Sequence, residues 1–420
     1  MFSIAKKLIQ PARWPAFASG MLAYGSAEAA ARIVRLGAIL IVARQISPQL
    51  LGTAALALSL FEIVRVLTSV GIGQRIIIAQ DDELAAISKA AVYLFWITCL
   101  AVMTVQFVVA LIAWSFFDQP EVAAMLAVLC GVYLFMPSGL VQIFLAMRDQ
   151  RMKATAQVAA VQNIADAVMT VVLVLVWPSA WAIVLPKLLT APIWLWGARR
   201  TYIWRPDNQI ARSSITEFAN FGPAVLCSEL LAAARIHGDK LLVGALLGTE
   251  ALGLYFFAFN AGLGITQSFV AACNLVLFPH LAKIRVESFD SEFRRSFGLG
   301  LLILLPIVIA QAALAPIYVP IIFGSNWVQA IPFVALLALA ALPLYAGALL
   351  GARYRALKQP LKEAALMGVA TATALTGLSI GAQVSLAAAC LGFVLCLSIV
   401  LIPAAAILLF APTRPAAAIV

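Results

Sequence analysis

Long apolar runs separated by short polar breaks recur along almost the whole chain. A helix that spans a membrane needs about 20 mostly apolar residues. The pattern therefore predicts roughly twelve spanning helices. Their predicted limits are 19–43, 51–73, 89–114, 121–147, 156–177, 179–198, 218–246, 251–276, 297–322, 328–351, 362–381 and 384–410.

Composition agrees with this pattern. The chain has 420 residues, of which 64% are hydrophobic and 11% charged, and a mean hydropathy of +1.03. So few polar residues cannot cover the surface of a water-soluble globule of this size. We therefore predict an all-α, polytopic membrane protein.

Basic residues crowd alternate connections between the predicted helices, and such connections face the cytoplasm in membrane proteins. This alternation predicts that both termini are cytoplasmic. It also accounts for the net charge of +10 through topology and contact with anionic phospholipid, and no nucleic acid is expected as a partner. The basic groups are Lys6/Lys7/Arg13, Arg75/Lys89, Arg148/Arg151/Lys153, Arg199/Arg200/Arg205/Arg212, Lys283/Arg285/Arg294/Arg295 and Arg353/Arg355/Lys358/Lys362.

A weak internal duplication appears when the chain is shifted by 201 residues. The shift lays Leu40–Gly52 on Leu241–Gly253, so that Gly52 meets Gly253. Each copy would hold six helices, an arrangement common among transporters. We predict two pseudo-symmetric six-helix lobes, residues 1–205 and 206–420, around a central cavity.

Charged residues inside the first two predicted helices are the first candidates for a site. Glu28, Arg32 and Arg35 share one helical stripe, and the second helix adds Glu62 and Arg65. Guanidinium groups match phosphate oxygens well, so this pattern is typical of a cationic patch for a phosphate-bearing head group. Salt bridges that only hold helices together are the alternative.

The fifth and sixth predicted helices carry a second group of candidates. Asn163 and Asp166 lie on one face of the fifth helix, and Lys187 follows Pro186 in the sixth. A cation in a proline-bent membrane helix is typical of a cavity wall. Mutual neutralisation of Asp166 and Lys187 across consecutive helices is equally compatible with the sequence.

The seventh predicted helix is the most heavily charged, and the eighth carries a polar seam. Acidic groups inside a membrane can bind Na⁺ or take up a proton, and seams of amides favour either hydrogen bonding between helices or a cavity lining. The residues concerned are Glu229, Arg235, Asp239 and Lys240 in the seventh helix and Asn260, Gln267 and Asn274 in the eighth.

Sequence motifs that the chain lacks reduce the range of functions to be considered. The chain contains no G-x-x-x-x-G-K-[ST] loop and no H-E-x-x-H motif, and its only histidines are His237 and His280. We therefore expect no cofactor and no metal centre, and the driving force would come from a gradient of an ion such as Na⁺ or H⁺, from the membrane potential or from the flux of substrate. The predicted outward connections are too short to hold an active site, so we do not expect an enzyme.

Two stretches of sequence carry a family resemblance. RIVRLGAILIVARQISPQLLGTAALALSLFEIVRVLTSVGIGQRIIIAQ (Arg32 to Gln80) and DKLLVGALLGTEALGLYFFAFN (Asp239 to Asn260), which continues to NLVLFPHLAKI (Asn274 to Ile284), resemble the polysaccharide transporter family. This family comprises the O-antigen and exopolysaccharide flippases of the multidrug/oligosaccharidyl-lipid/polysaccharide exporter superfamily.

The resemblance implies an undecaprenyl-pyrophosphate-linked oligosaccharide as substrate. It would be flipped across the bacterial inner membrane by alternating access, with a polysaccharide polymerase and chain-length proteins as further partners. On this hypothesis Arg32, Arg35 and Arg65 bind the pyrophosphate, supported by Lys187 and Arg235. The ion-coupling candidates are Glu28, Asp166, Glu229 and Asp239, and the polar lining comprises Asn163, Asn260, Gln267 and Asn274.

Three other functions stay open at this stage. A cation-coupled multidrug exporter shares the two-lobe plan, but it would favour an acidic, aromatic cavity. A lipid II flippase is a nearer relative. A membrane polysaccharide polymerase belongs to a different class, and the short outward connections disfavour it.

Overall fold

The computed structural model is mainly helical, and it has no strand among the residues that it describes. In a bilayer, a helix satisfies all its backbone hydrogen bonds within one segment, which explains this uniformity. The described residues are 34, 37–205, 213–214, 218, 222–264, 266–267, 269–270, 273, 277, 281 and 286–410.

Nine helices in the described part of the chain are long and apolar enough to cross a membrane, or ten when one bent pair is counted as a single span. The protein is therefore a multi-pass membrane protein, as the hydropathy pattern predicted. Most of the first predicted span, 19–43, lies outside the described residues. The full number of twelve stays a prediction.

The chain divides into two compact units. The first unit contains residues 1–45 and 61–230, and the second contains residues 46–60 and 231–420. The predicted lobe boundary between residues 205 and 206 stays a prediction.

The helices up to residue 201 mainly build the first unit, although the first of them begins in the second unit. Their bounds are α1 Pro48–Val66, α2 Ile72–Ile78, α3 Leu84–Ser115, α4 Pro120–Leu129, α5 Val132–Phe135, α6 Pro137–Arg148, α7 Met152–Val176, α8 Trp181–Leu189 and α9 Ala191–Thr201.

The helices that follow mainly build the second unit, and the first of these begins in the first unit. Their bounds are α10 Gly222–Ala258, a π-helical turn Phe259–Leu263, α11 Val286–Tyr318, a second π-helical turn Val319–Phe323, a 3₁₀ turn Ser325–Ala330, α12 Ile331–Leu339, α13 Ala341–Ala356, α14 Pro360–Ala382 and α15 Leu386–Phe410.

Two breaks shape these helices. The predicted span 121–147 is divided into α4, α5 and α6, and the chain bends by 54° before Pro137, since proline has no backbone N–H to continue the ladder. Helix α10 contains a non-helical residue, Gly248, with φ 84°. Glycine tolerates this backbone conformation, and the break lies between the predicted seventh and eighth helices.

The two segments that the shift of 201 residues aligns contact each other inside the second unit. A Cβ atom on Gly52 would collide with the backbone carbonyl of Thr249, and one on Gly253 would collide with that of Pro48. Thr249 corresponds to Pro48 under the shift of 201 residues, so the contact is reciprocal. The Gln49 amide also donates to the Thr249 hydroxyl at 2.8 Å. Only glycine permits so close a helix crossing.

Candidate functional site

A cavity of about 280 Å³ lies within the first unit, and we call it the charged cavity. The end of α1, the α5–α6 bend and helices α7 to α9 supply its walls. Its polar side chains are Glu62, Arg65, Gln162, Asn163, Asp166 and Lys187. The sequence had singled out five of these six residues.

Arg65 and Glu62 form the first ion pair of the charged cavity. They lie three residues apart on α1, so their side chains share one face of the helix. The Arg65 Nε donates to Glu62 Oε2 at 2.9 Å, and the Nη2 atom donates to the same oxygen at 2.5 Å. The Arg65 side chain is still 44% exposed. This guanidinium is therefore paired, yet it can be reached from the cavity.

Asp166 and Lys187 form the second pair, on the consecutive helices α7 and α8. The Lys187 ammonium donates to Asp166 Oδ2 at 3.0 Å. The other carboxylate oxygen, Oδ1, is buried and accepts no hydrogen bond in the described part of the protein. Both alternatives from the sequence thus hold together, because the two residues neutralise each other and also line a cavity.

Several lining residues gave no useful signal in the sequence. Gln162 precedes Asn163 on α7 and does not share the helical face of Asn163 and Asp166. A single polar side chain on a separate face did not indicate a site. Phe61, Phe135 and Trp194 supply aromatic walls. Aromatic side chains inside apolar helices are usually packing residues, so their position beside the charges required the tertiary structure.

A contrasting cluster is buried in the second unit, and we call it the Asp239 network. Lys240 donates to both Asp239 oxygens, at 3.1 and 3.3 Å, and to the Ile236 carbonyl at 2.7 Å. The Tyr255 hydroxyl donates to Asp239 Oδ2 at 2.9 Å. The Lys240 ammonium also lies 4.2 Å from the centroid of the Phe259 ring. Each charged group therefore already has several partners.

A second cavity, of about 510 Å³, opens beside this network within the second unit. Arg235, Asp239 and Gln267 contribute to its lining, together with Arg355 and Glu363, whose side chains pair at 3.5 Å. The remaining lining is mostly apolar. The predicted cation Arg235 and the predicted amide Gln267 thus share one cavity.

The other sequence candidates fall elsewhere. Glu229 is exposed. Asn260 is half-buried, and its amide donates to the Phe256 carbonyl at 2.8 Å, so this donor is used within its own helix. The candidates outside the described residues are Glu28, Arg32, Arg35 and Asn274.

A family model described as polysaccharide biosynthesis protein matches residues 41–332, well over half of the chain. The chain belongs to this family. The resemblance predicted from the sequence is thereby confirmed. The matched region includes the charged cavity and the Asp239 network.

Curated relatives agree with this assignment. The lipopolysaccharide biosynthesis protein WzxC of Escherichia coli (strain K12) is 22% identical, over 80% of this chain and 67% of that protein. The teichuronic acid biosynthesis protein TuaB of Bacillus subtilis (strain 168) is 22% identical, over 63% and 55%. The succinoglycan biosynthesis transport protein ExoT of Rhizobium meliloti (strain 1021) is 24% identical, over 71% and 61%. The match with this chain thus spans between 55% and 67% of their lengths.

Solved structures show the same fold. The lipid II flippase MurJ, in an inward closed conformation, superposes with a TM-score of 0.75 at 11% identity, covering 92% of this chain and 86% of that one. An inward-facing multidrug resistance transporter of the MATE family gives 0.67 at 14% identity, covering 89% and 92%. The predicted all-α polytopic membrane fold is confirmed.

Proposed function

We propose that this chain is a flippase that moves an undecaprenyl-pyrophosphate-linked oligosaccharide across the bacterial inner membrane by alternating access. The observation that carries the proposal is the family match over residues 41–332. One of the relatives is named a transport protein, and the three are named for the biosynthesis of lipopolysaccharide, teichuronic acid and succinoglycan. None of these names describes a chemical reaction, which supports a transporter over a polymerase.

The charged cavity offers the chemistry that such a substrate needs. Arg65 and Lys187 each hold a carboxylate in a partly exposed pair. A pyrophosphate carries more negative charge than one carboxylate and can accept bonds from both cations together. Substrate binding would therefore replace Glu62 and Asp166 as their partners, and release of the substrate would restore the two pairs.

Asp166 is the best-placed ion-coupling group in the described part of the chain. Its Oδ1 atom is buried without a hydrogen-bond donor, so a proton or Na⁺ has an oxygen to bind. Neutralising this carboxylate would release Lys187 for the phosphate. Asp239 suits this role less well, because Lys240 and Tyr255 already occupy its oxygens.

Residues outside the charged cavity have further roles in the proposed transport. Arg32 and Arg35 add cations for the pyrophosphate, and Glu28 and Glu229 are further coupling candidates. The polar groups of the second cavity, Arg235 and Gln267, contact the substrate in the second unit. Both termini are cytoplasmic, and a polysaccharide polymerase and chain-length proteins act on the delivered sugar.

The test is a transport assay on the pairs of the charged cavity. Arg65→Gln and Lys187→Gln are reconstituted in vesicles with a labelled lipid-linked oligosaccharide, and delivery to the opposite leaflet is measured. We expect each variant to lose tenfold or more of the rate, since one charge-assisted bond contributes about 1.5–3 kcal/mol. Wild-type rates in both variants would overturn the phosphate role of these cations.

Arg295→Gln is the matched control. Arg295 also faces an acid three residues away, Glu292, at 4.0 Å, but its side chain is 73% exposed and lines none of the described cavities. This variant should transport at the wild-type rate. Two further substrates, lipid II and a cationic drug, separate the proposal from a lipid II flippase and from a multidrug exporter. Preferential transport of either one would overturn the proposed substrate.

A further inference from the structure

A third cavity, separate from the two described above, lies within the first unit where α3, α6 and α9 meet. We call it the tryptophan–arginine pocket, after its lining residues Trp96, Arg199, Trp204 and Arg205. Its volume is about 460 Å³. This size falls within the range of ~300–1,000 Å³ that is usual for small-ligand sites.

The charge of this pocket is unbalanced. Arg199 and Arg205 contribute guanidinium groups, and no aspartate or glutamate is among its lining residues. In the described part of the chain neither arginine joins a salt bridge, and Arg199 only donates to the Ser138 carbonyl at 3.4 Å. The charged cavity, in contrast, supplies one carboxylate for each cation. An anion, above all a phosphate, therefore complements the tryptophan–arginine pocket.

The buried side-chain oxygen of Gln142 indicates a second property of the ligand. Gln142 of α6 lines the pocket, and it is only 8% exposed. Its side-chain oxygen is itself fully buried and accepts no hydrogen bond from any described residue, so a ligand reaches it only after the terminal amide turns toward the pocket. A buried amide oxygen without a donor is costly, and a phosphodiester cannot supply one because its oxygens carry no proton and only accept. The complementary ligand therefore carries a hydrogen-bond donor next to its phosphate.

The position of the pocket indicates where such a ligand comes from. Helix α9 completes a candidate membrane span that ends at Thr201, and the pocket is built partly from the residues immediately after it. Ile203 in this segment is 92% exposed. Tryptophan and arginine at the end of a span are typical of the level of lipid head groups. A lipid therefore presents its phosphate where these side chains lie.

We propose that the tryptophan–arginine pocket binds the phosphodiester head group of a membrane phospholipid whose polar end carries a hydrogen-bond donor. Arg199 and Arg205 hold the phosphate, Trp96 and Trp204 border the glycerol region, and Gln142 accepts the bond from an ammonium or hydroxyl group. Phosphatidylethanolamine and phosphatidylglycerol satisfy both demands. Phosphatidylcholine has the phosphate but no donor. This site does not depend on the transported substrate.

The experiment measures lipid binding to the purified full-length protein by native mass spectrometry, with phosphatidylethanolamine and phosphatidylcholine as a pair of equal net charge. We expect the ethanolamine lipid to bind about fivefold more tightly, which is the effect of one hydrogen bond. Gln142→Leu keeps the volume and removes the acceptor, so it should abolish this preference. Equal binding of the two lipids by the wild-type protein would overturn the role of Gln142.

The phosphate contact is tested with the double variant Arg199→Gln/Arg205→Gln. It should bind both lipids at least tenfold more weakly. Arg200→Gln is the control, since Arg200 lies on the same helix but stacks 3.7 Å over the Trp196 ring and does not line the pocket. An equal loss in this control would show that surface charge alone attracts the lipid, and would overturn the site.

A competition experiment distinguishes a lipid from a soluble phosphate ester as the ligand of the tryptophan–arginine pocket. Free phosphoethanolamine or glycerol phosphate, added at millimolar concentration, should leave lipid binding unchanged, because the segment around Ile203 adds apolar contact with the acyl region. Full displacement by these compounds would assign the pocket to a soluble ligand instead of a lipid.

Discussion

The charged cavity of the first unit and the Asp239 network of the second use the same residue types in opposite ways. In the charged cavity, Lys187 makes one bond to Asp166, and both side chains keep between a fifth and a third of their surface exposed. In the Asp239 network, Lys240 and Asp239 are only 7% and 3% exposed. Both pairs adjoin a cavity, but hydrogen bonds already occupy both oxygens of Asp239, whereas Asp166 keeps one oxygen without a donor in the described part of the chain.

This difference indicates which buried charged groups can bind a ligand. A charge inside a membrane protein is stable only when a partner or water compensates it. Where several hydrogen bonds already occupy it, as at Asp239, a ligand must displace them although a cavity adjoins. Where one oxygen lacks a donor and a cavity adjoins, as at Asp166, an exchange of the partner for a ligand would break a single hydrogen bond, and the proposed transport requires such an exchange.

The largest expected effect comes from breaking the Asp239 network. Asp239→Ala leaves the Lys240 ammonium buried without its carboxylate, and loss of one partner of a buried pair costs about 3–5 kcal/mol. We expect a marked fall in thermal midpoint and in folded yield, measured by size-exclusion fluorescence after heating. The double variant Asp239→Ala/Lys240→Met removes both charges and should recover much of the loss. An unchanged midpoint in Asp239→Ala would contradict the structural role.

A smaller effect is expected at the glycine crossing, which tests the packing of the second unit without altering charge. Gly52→Ala and Gly253→Ala each place a methyl group against a backbone carbonyl, and overpacking of this kind costs about 1–3 kcal/mol. Gly298→Ala is the matched control, because nothing lies within 4 Å of its Cβ position. Equal thermal midpoints for all three variants would refute the close crossing.

The smallest effect on stability is expected at Lys187. Partly exposed ion pairs contribute about 0–1 kcal/mol, so Lys187→Met should shift the thermal midpoint by only a few degrees. Lys240→Met, the same exchange in the buried network, should shift it much further. Equal shifts for these two variants would remove the distinction between an exchangeable and a structural pair, even if Lys187→Met abolished transport.

Much of the fold followed from the sequence, because hydropathy, proline and glycine act locally. The runs of apolar residues located most of the spans, and the shift of 201 residues paired Gly52 with Gly253, which then proved to be in contact. Because Asp166 and Lys187 lie on consecutive helices, the sequence also identified them as candidate partners, and the structure shows the bond between them.

The rest depended on side chains brought together from distant parts of the chain. Nothing in the sequence indicated that Tyr255 would donate to Asp239, or that Lys240 would bind the residue beside it. The tryptophan–arginine pocket combines α3, α6 and the segment after α9, and its orphan oxygen on Gln142 is visible only in three dimensions. Polar residues in apolar helices identify candidate site residues. Only the structure shows which of them already have all their hydrogen bonds and which still lack a partner.

The reciprocal crossing at Gly52 and Gly253 also constrains how this protein can evolve. Each glycine leaves room for a backbone carbonyl group of the other segment, so a larger side chain in either segment disturbs both. The effect of a mutation in one half of the gene on stability therefore depends on the sequence of the other half. A chimera that joins halves from two relatives should fold only where both parents kept their glycine.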